Sequence, residues 1–302
     1  MTDENVEKEK GIINQEIGMY DDDPDWRCYF GSIQNLYQNH PVKIDIAGTV
    51  ETVASIDKAT LEKCYHTFYH PSQMMLFVVG HINPDEIMKL IQDNQQQKHF
   101  SKENPIQRAI VNEPLDVAQK EAVLHMDVTM PKIIVSMKIN TILTKPQERL
   151  KRELAMNLFL DIFFAKSSSL YDEWLNEELI NDSFSAQFTQ ERDYCFLQIG
   201  GDTLYPEQLK EKILYFIEHI HEYDIRQEDF LRLKKKTMGI MISLFNSPES
   251  IANMFSRYYF EGIMIFDLID CLNALTMDDL MSLRDLFDEH YATSFTILPQ
   301  IQ

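Results

Sequence analysis

The four cysteines, Cys28, Cys64, Cys195 and Cys271, are too few and too widely spaced for a disulfide framework, and no C-x-x-C pair is available for metal or redox chemistry. This usage suits a reducing cytoplasm. The opening MTDENVEKEK is charged and lacks an apolar centre. The longest apolar runs, such as MMLFVVG at Met74 to Gly80, fall far short of the ~20 residues a membrane span needs. No signal peptide or transmembrane helix is expected from these segments. Positive charge is also scarce: 28 Lys and Arg stand against 48 Asp and Glu, a net −20, which argues against nucleic acid and anionic membranes as main partners. Such an acidic surface is ordinary solvation, or the wall of an acidic chamber that prefers basic peptides. There is no G-x-S-x-G, no G-x-G-x-x-G and no G-x4-G-K-[ST], and Gly200-Gly201 reads as a strand exit rather than a phosphate cradle. No short-period repeat is visible.

What the chain does have is mass for a core. Its 302 residues, 44% hydrophobic and 11% aromatic, fit two domains of about 150 residues better than one. Apolar positions Val6, Ile13, Ile17 and Tyr20 recur at helical spacing, and Pro24 opens a second helix through Trp26, Phe30, Ile33, Leu36 and Tyr37. After a loop at 40–48, DKATLEKCYHTFY at Asp57 to Tyr69 predicts a capped helix with Leu61, Cys64, Tyr65 and Phe68 on its apolar face. Met74 to His81 predicts a buried strand, and Pro84 to Gln97 a helix. DNQQQKHFSKENP breaks all periodicity, which places a linker at 99–120 between a first region, 1–98, and a second, 121–302. The second region reads as two strands (EAVLHMDV, KIIVSMKIN), two helices (Pro146 to Ala165, Leu170 to Leu179) and two strands (Phe184 to Phe188, Tyr194 to Gly200). Four helical patterns then precede a closing strand at Ser294 to Leu298. Hairpin-like strand pairs and helical runs are segregated, so the fold class is α+β. KKKTMGIMISLF at Lys234 to Phe245 reads as core packing on a long helix, its lysines a local basic spot at most.

Glu9 and Glu16, seven residues apart in EKGIINQEIGMYDDDP, leave a helix from nearly the same face. One could face a metal with the other behind it, or both could form a solvated stripe near a helix N-terminus. His66 and His70 stand at i and i+4 without a glutamate between them, the second just before Pro71. His219 and His221 are two apart and diverge. Both pairs read as surface or interface histidines.

EKGIINQEIGMYDDDPDWR, NLYQNHPVKIDIAGTVETV at Asn35 to Val53 and FYHPSQMMLFVVGHINPDEI at Phe68 to Ile87 together resemble the pitrilysin family of zinc metallopeptidases. The family includes insulin-degrading enzyme and the mitochondrial processing peptidases, and the closest look is to its short bacterial cytoplasmic members. SSSLYDEWLNEEL at Ser167 to Leu179 and QIGGDTLYPEQL at Gln198 to Leu209 extend the likeness through the second region. The resemblance implies two sheet-plus-helix halves of the processing-peptidase type facing each other across a chamber, the first truncated here, the second the non-metal half. It implies zinc, held by an H-x-x-E-H helix and a later E-x6-E helix, with Glu16 matching the third ligand and Glu9 the supporting acid. It implies peptides or unfolded segments as ligands, bound by adding a strand to a sheet edge, and a homodimer or heterodimer with a family member.

The sequence departs from that pattern in two places. None of the nine histidines, His40, His66, His70, His81, His99, His125, His219, His221 and His290, lies in H-x-x-E-H, so two ligands and the general base are missing and the chain alone is expected to be inactive. The segment supplying them is expected upstream of Met1. An arginine and tyrosine that would hold the substrate backbone after the Ser167 helix are replaced by Leu175-Asn176 and Asn181-Asp182-Ser183. A non-catalytic subunit that pairs with a competent homologue, and a peptide-binding module without hydrolysis, fit the same text.

Overall fold

The computed structural model describes residues 1–100 and 106–300; residues 101–105 of the expected linker, with Pro105, lie outside the described residues. Helix α1 (Asp3–Asp22) starts where the Thr2 side chain accepts from the Asn5 N–H, and it buries Val6 and Ile17. Asp23 ends it and caps α2 (Pro24–Leu36) by accepting from the N–H groups of Asp25 and Trp26. A short α3 (Val50–Ser55), closed by a Thr49/Thr52 capping box, follows where only a loop and its exit were read. Next come α4 (Lys58–Phe68) and α5 (Pro84–Gln96), neither of which contains a buried residue.

The remaining chain supplies the sheet. Strands β1 (Glu121–Met126) and β2 (Lys132–Lys138) lead into α6 (Pro146–Phe164) and α7 (Ser169–Asn176). Strands β3 (Ser185–Gln190) and β4 (Cys195–Asp202) follow, then α8 (Pro206–Glu218), α9 (Gln227–Leu244), α10 (Pro248–Glu261), α11 (Asp267–Ala274), α12 (Met277–Met281) and β5 (Ala292–Pro299). The strand order is β1-β5-β2-β4-β3, with β1 and β5 parallel and the other pairs antiparallel. The chain is therefore α+β, as the segregation of its patterns predicts, with one mixed sheet among the described residues. The region between α10 and α12, read only as a gap before Met277, adds α11.

Alternation along the strands fixes the two layers. Ile133, Val135 and Met137 of β2 and Leu197 and Ile199 of β4 point to one face, where they join a core built on α6, α8 and α9. Helix α6 carries Leu154, Met156, Phe159, Leu160 and Phe163 around most of its circumference, so it is enclosed on nearly all sides. The opposite face carries Lys132, Ser136 and Lys138 from β2 and Phe196, Gln198 and Gly200 from β4, and α2 lies across it. That close approach needs Gly31: a Cβ there would stand 2.3 Å from the Phe295 ring. Asn35 Nδ2 donates to the Ser294 carbonyl (3.0 Å), and the Tyr37 hydroxyl donates to the Cys195 carbonyl (3.0 Å) and accepts from its N–H (3.2 Å).

Two expectations fail in the first region. Met74 to Val79 forms no strand and pairs with none among the described residues, and Met74, Leu76 and Val78 are exposed, so it is not a buried strand. The predicted apolar face of α4 is uncovered as well, with Cys64, Tyr65 and Phe68 all exposed. Both failures have one cause: local pattern specifies a face, and burial needs a second surface, which the described residues do not provide. In α9 only Phe230 and Leu233 are buried; Met238 and Met241 are partly covered, while Ile240 and Ile242 face solvent. Lys234 donates to the Asn273 and Leu275 carbonyls and Lys236 pairs with Asp161, so two of the three lysines make internal contacts.

Candidate functional site

Glu9 and Glu16 both stand exposed on α1, away from its buried Val6 and Ile17. Glu9 lies at the rim of an apolar cavity of about 170 Å³ between α1, α3 and α4, floored by Val6, Ile13, Val53 and Leu61. Lys10 next to it pairs with Glu7 at 2.7 Å and donates to the Ala54 carbonyl. Among the described residues no group of three or more His, Cys, Asp or Glu is placed to hold a metal. Catalytic zinc needs three protein ligands and an open position for water, so the donor set present around Glu16 does not fit it. The histidines do not change this: His70 caps the turn Pro71–Gln73 by accepting from the Ser72 N–H, and His219 stacks on Tyr215.

Beyond α1 the chain builds a second concavity, of about 240 Å³, where α2 crosses the sheet next to the start of β2 and the end of β4. Its charged centre is Lys132, which bridges Asp25 at 2.7 Å and Asp202 at closer range. Burial alone would lower the Lys132 ammonium, but these carboxylates hold it above the ordinary lysine value, so it is a fixed cation and not a nucleophilic amine. Cys28 lines the same space; burial pushes its thiol up to about 12, which leaves no thiolate for covalent chemistry. Gln198 donates from Nε2 to Ser32 Oγ at 2.7 Å, and its Oε1 is buried without a partner. The cleft thus offers hydrogen-bonding groups and a clamped charge, and no activated acid, base or nucleophile.

The wall of this cleft explains the glycine pair. A Cβ on Gly200 would come within 2.0 Å of the Ile133 carbonyl oxygen, and one on Gly201 within 2.8 Å of Phe184 Cα. Gly200-Gly201 is a place where backbones touch, and β4 continues through it to Asp202 rather than ending there. Where the resemblance implies a substrate-holding arginine and tyrosine, the structure places a turn. Asn181 accepts from the Ser183 N–H and donates to the Asp202 carbonyl, and Ser183 Oγ accepts from the Asp202 N–H. These residues tie β3 to β4.

Sequence reasoning missed Glu113, which holds the expected linker down. Its carboxylate accepts from the backbone N–H groups of Gln38, Asn39 and His40 and from Lys138 Nζ, which itself lies over the Tyr37 ring. Partial burial raises this carboxyl, but Lys138 and the three N–H groups outweigh it and hold it below the ordinary 4.5. A lone Glu in VNEPLD carries no periodic or motif signal that could have singled it out.

The chain belongs to the peptidase M16 family: the profile described as "Peptidase M16 inactive domain" matches residues 55–237. It is 44% identical over 281 residues, 93% of its length, to the uncharacterized zinc protease YmfH of Bacillus subtilis, and it spans 65% of that relative. A solved structure described as an M16-like peptidase from Alicyclobacillus acidocaldarius superimposes with a TM-score of 0.94 at 34% identity, over 99% of this chain and 72% of that one. A protease from Helicobacter pylori, at 18% identity, shares the fold with a TM-score of 0.85 over 99% of this chain and 73% of that one. No described helix is long and apolar enough to cross a membrane.

Proposed function

We propose that this chain is the greater part of a pitrilysin-like zinc endopeptidase of the bacterial cytoplasm, made of the rear of a metal-bearing domain (1–98), a linker (99–120) and a non-metal domain (121–302), and that alone it is inert. The observation that carries the reading is the exposed Glu9/Glu16 face of α1 in a family member whose described residues bring no other ligand to it. In this reading Glu16 is the third zinc ligand, Glu9 orients it, and the histidines and general base come from a polypeptide carrying H-x-x-E-H. Peptides or unfolded segments are the substrates. The part of YmfH that this chain does not match is the probe for such a polypeptide. The chain alone should retain no stoichiometric zinc and cleave no quenched peptide. Co-expressed with the unmatched part of YmfH it should retain one zinc and cleave in a chelator-sensitive way, and Glu16→Ala should abolish retention. Stoichiometric zinc with chelator-sensitive cleavage by the chain alone, or no zinc in the co-expressed pair, overturns the reading.

The second reading is a non-catalytic partner subunit or peptide-binding scaffold that pairs with an active homologue. It is favoured by the 240 Å³ cleft, which has hydrogen-bonding groups and no activated nucleophile. Calorimetric titration with basic and acidic peptides tests it; equal heats, or none, remove the acidic-chamber idea.

A further inference from the structure

Helix α10 is held to the second region by charge more than by apolar cover. Tyr258 is its one buried residue. Its Arg257 and Glu261 stand one turn apart, as do Arg149 and Glu153 on α6, and the two pairs cross: Arg257 donates to Glu153 at 2.7 Å, and Arg149 pairs with Glu261 at closer range. Tyr258 adds its hydroxyl to the Glu153 carboxylate at 3.5 Å, and Arg192 of the β3–β4 turn donates to the Phe260 carbonyl. Both ends of the helix are turns. Ser247 caps the start by accepting from the Ser250 N–H, and Gly262, at φ +78°, turns the chain straight after Glu261.

The crossed charges are not equally placed. Arg257 keeps 63% of its side chain in water, whereas Glu153 keeps 17% and lines a cavity of about 40 Å³, room for a few waters and no substrate. Around that cavity Glu153 meets Arg149 from its own helix, Arg257, Tyr258 and Glu261 from α10, and Glu191 from the β3–β4 turn. Arg152, also on α6, turns instead to Gln190 and the Thr141 carbonyl. Three carboxylates against two guanidiniums leave one negative charge in excess. Burial raises the Glu153 carboxyl above its ordinary 4.5; Arg257 and the Tyr258 hydroxyl oppose that rise, and Glu261 reinforces it. With α10 swung away from α6, the carboxyl returns to water and to its ordinary value.

We infer that α10 is a pH-set clasp, which closes on α6 with uptake of a proton at Glu153 and loosens as that proton leaves. A carboxyl whose value is higher in the docked state than in the free one favours docking fully when pH lies below the free value, 4.5, and loses that contribution as pH rises through the docked one. At higher pH the enclosed carboxylate is charged, and α10 is held less tightly. Phe255 of α10 stacks on Phe77 of the first region with ring centroids 4.2 Å apart, so the clasp also sets how firmly the two regions touch there.

The test is amide hydrogen exchange on the full chain from about pH 8 to 5.5, each rate corrected for the intrinsic pH dependence of its amide. Protection from Ile251 to Glu261 should rise as pH falls, by up to about tenfold per unit for a single proton, while the amides of β2 and β4 keep theirs. Glu153→Gln should flatten the α10 profile, and Glu191→Gln should leave it sloping. Arg257→Gln, at an exposed position, removes the main attraction for the charged carboxylate and should move the rise to higher pH. A flat wild-type profile overturns the clasp, as does a slope that survives Glu153→Gln or vanishes with Glu191→Gln. Far-ultraviolet dichroism checks that each variant folds; if Glu153→Gln does not, the Arg257→Gln profile decides, and a rise left at the wild-type pH overturns the inference.

Discussion

Met74-Met75-Leu76-Phe77-Val78-Val79 and Ile133-Ile134-Val135-Ser136-Met137 are runs of similar length and apolar content, yet their surroundings are opposite. The second is the centre of the sheet: β5 pairs on one side, β4 on the other, and Ile133, Val135 and Met137 are shut away beneath α6 and α8. The first has no hydrogen-bonded strand on either side among the described residues, and its Phe77 stacks on Phe255 of α10. The same contrast separates the chain on a larger scale. Helices α6 and α8 bury whole faces, while α4 and α5 bury no residue. β-propensity creates a strand-ready segment, and only a matching surface makes it a strand.

This contrast predicts a steep gradient in what substitutions cost. Phe159 is fully buried and its ring meets those of Phe163 and Phe287, so Phe159→Ala should lose about 3–5 kcal/mol in urea unfolding followed by far-ultraviolet dichroism. A loss under 1 kcal/mol would mean that the helical layer is as loosely held as α4 and α5. Gly200→Ala drives a methyl into the Ile133 carbonyl from inside the same sheet, and should cost about 2–3 kcal/mol and lower the midpoint without a change in slope.

The junction between the two regions should fall next in the order. Glu113→Gln leaves Lys138 buried with only the Pro114 and Asp116 carbonyls as partners and weakens the bonds to three backbone N–H groups, a loss of about 2–3 kcal/mol at neutral pH. The pH dependence has a definite sign. The folded Glu113 carboxyl lies below its unfolded value near 4.5, so its contribution is complete above that value and disappears as pH falls through the lower folded one. The difference between wild type and variant should therefore stay constant from pH 7 to 5 and shrink below about 4.5. A difference that grows on acidification would rule out the clamp.

How much of this was legible in the sequence follows from how far each signal reaches. Periodicity placed α1, α2, α6, α8 and all five strands of the sheet because each such element displays its face within a few residues. The fold class came with them. Gly200-Gly201 reads as a strand exit, whereas both lie inside β4, where the contact with Ile133 requires glycine. Three things could not be read. Whether Leu61, Tyr65 and Phe68 are covered depends on a surface remote from them in the chain. The crossing of α2 over the polar face of the sheet rests on Gly31, Asn35 and Tyr37 meeting Phe295, Ser294 and Cys195, pairs separated by more than 150 positions. The Glu113 clamp joins three separate stretches, its own, Gln38 to His40 and β2, through one carboxylate. Glu9 and Glu16 were singled out by spacing and resemblance, and the structure adds their exposure and the apolar cavity beside Glu9.

The smallest effects test the open side of the comparison most sharply. Gly18 sits inside α1, two residues beyond Glu16, and a Cβ there would meet nothing within 4 Å. Gly18→Ala should stabilise the chain by about 0.5–1 kcal/mol, because alanine loses less backbone freedom in a helix and no packing opposes it. Gly31→Ala, on the neighbouring helix, has the opposite sign, since its methyl must displace the Phe295 ring at 2.3 Å. The pair is informative because the substitution is identical and the helices are adjacent; only the presence of a packed partner differs. If Gly18→Ala instead destabilised the chain, some surface would already cover the Gly18 side of α1, which lies about 200° around the helix from Glu16.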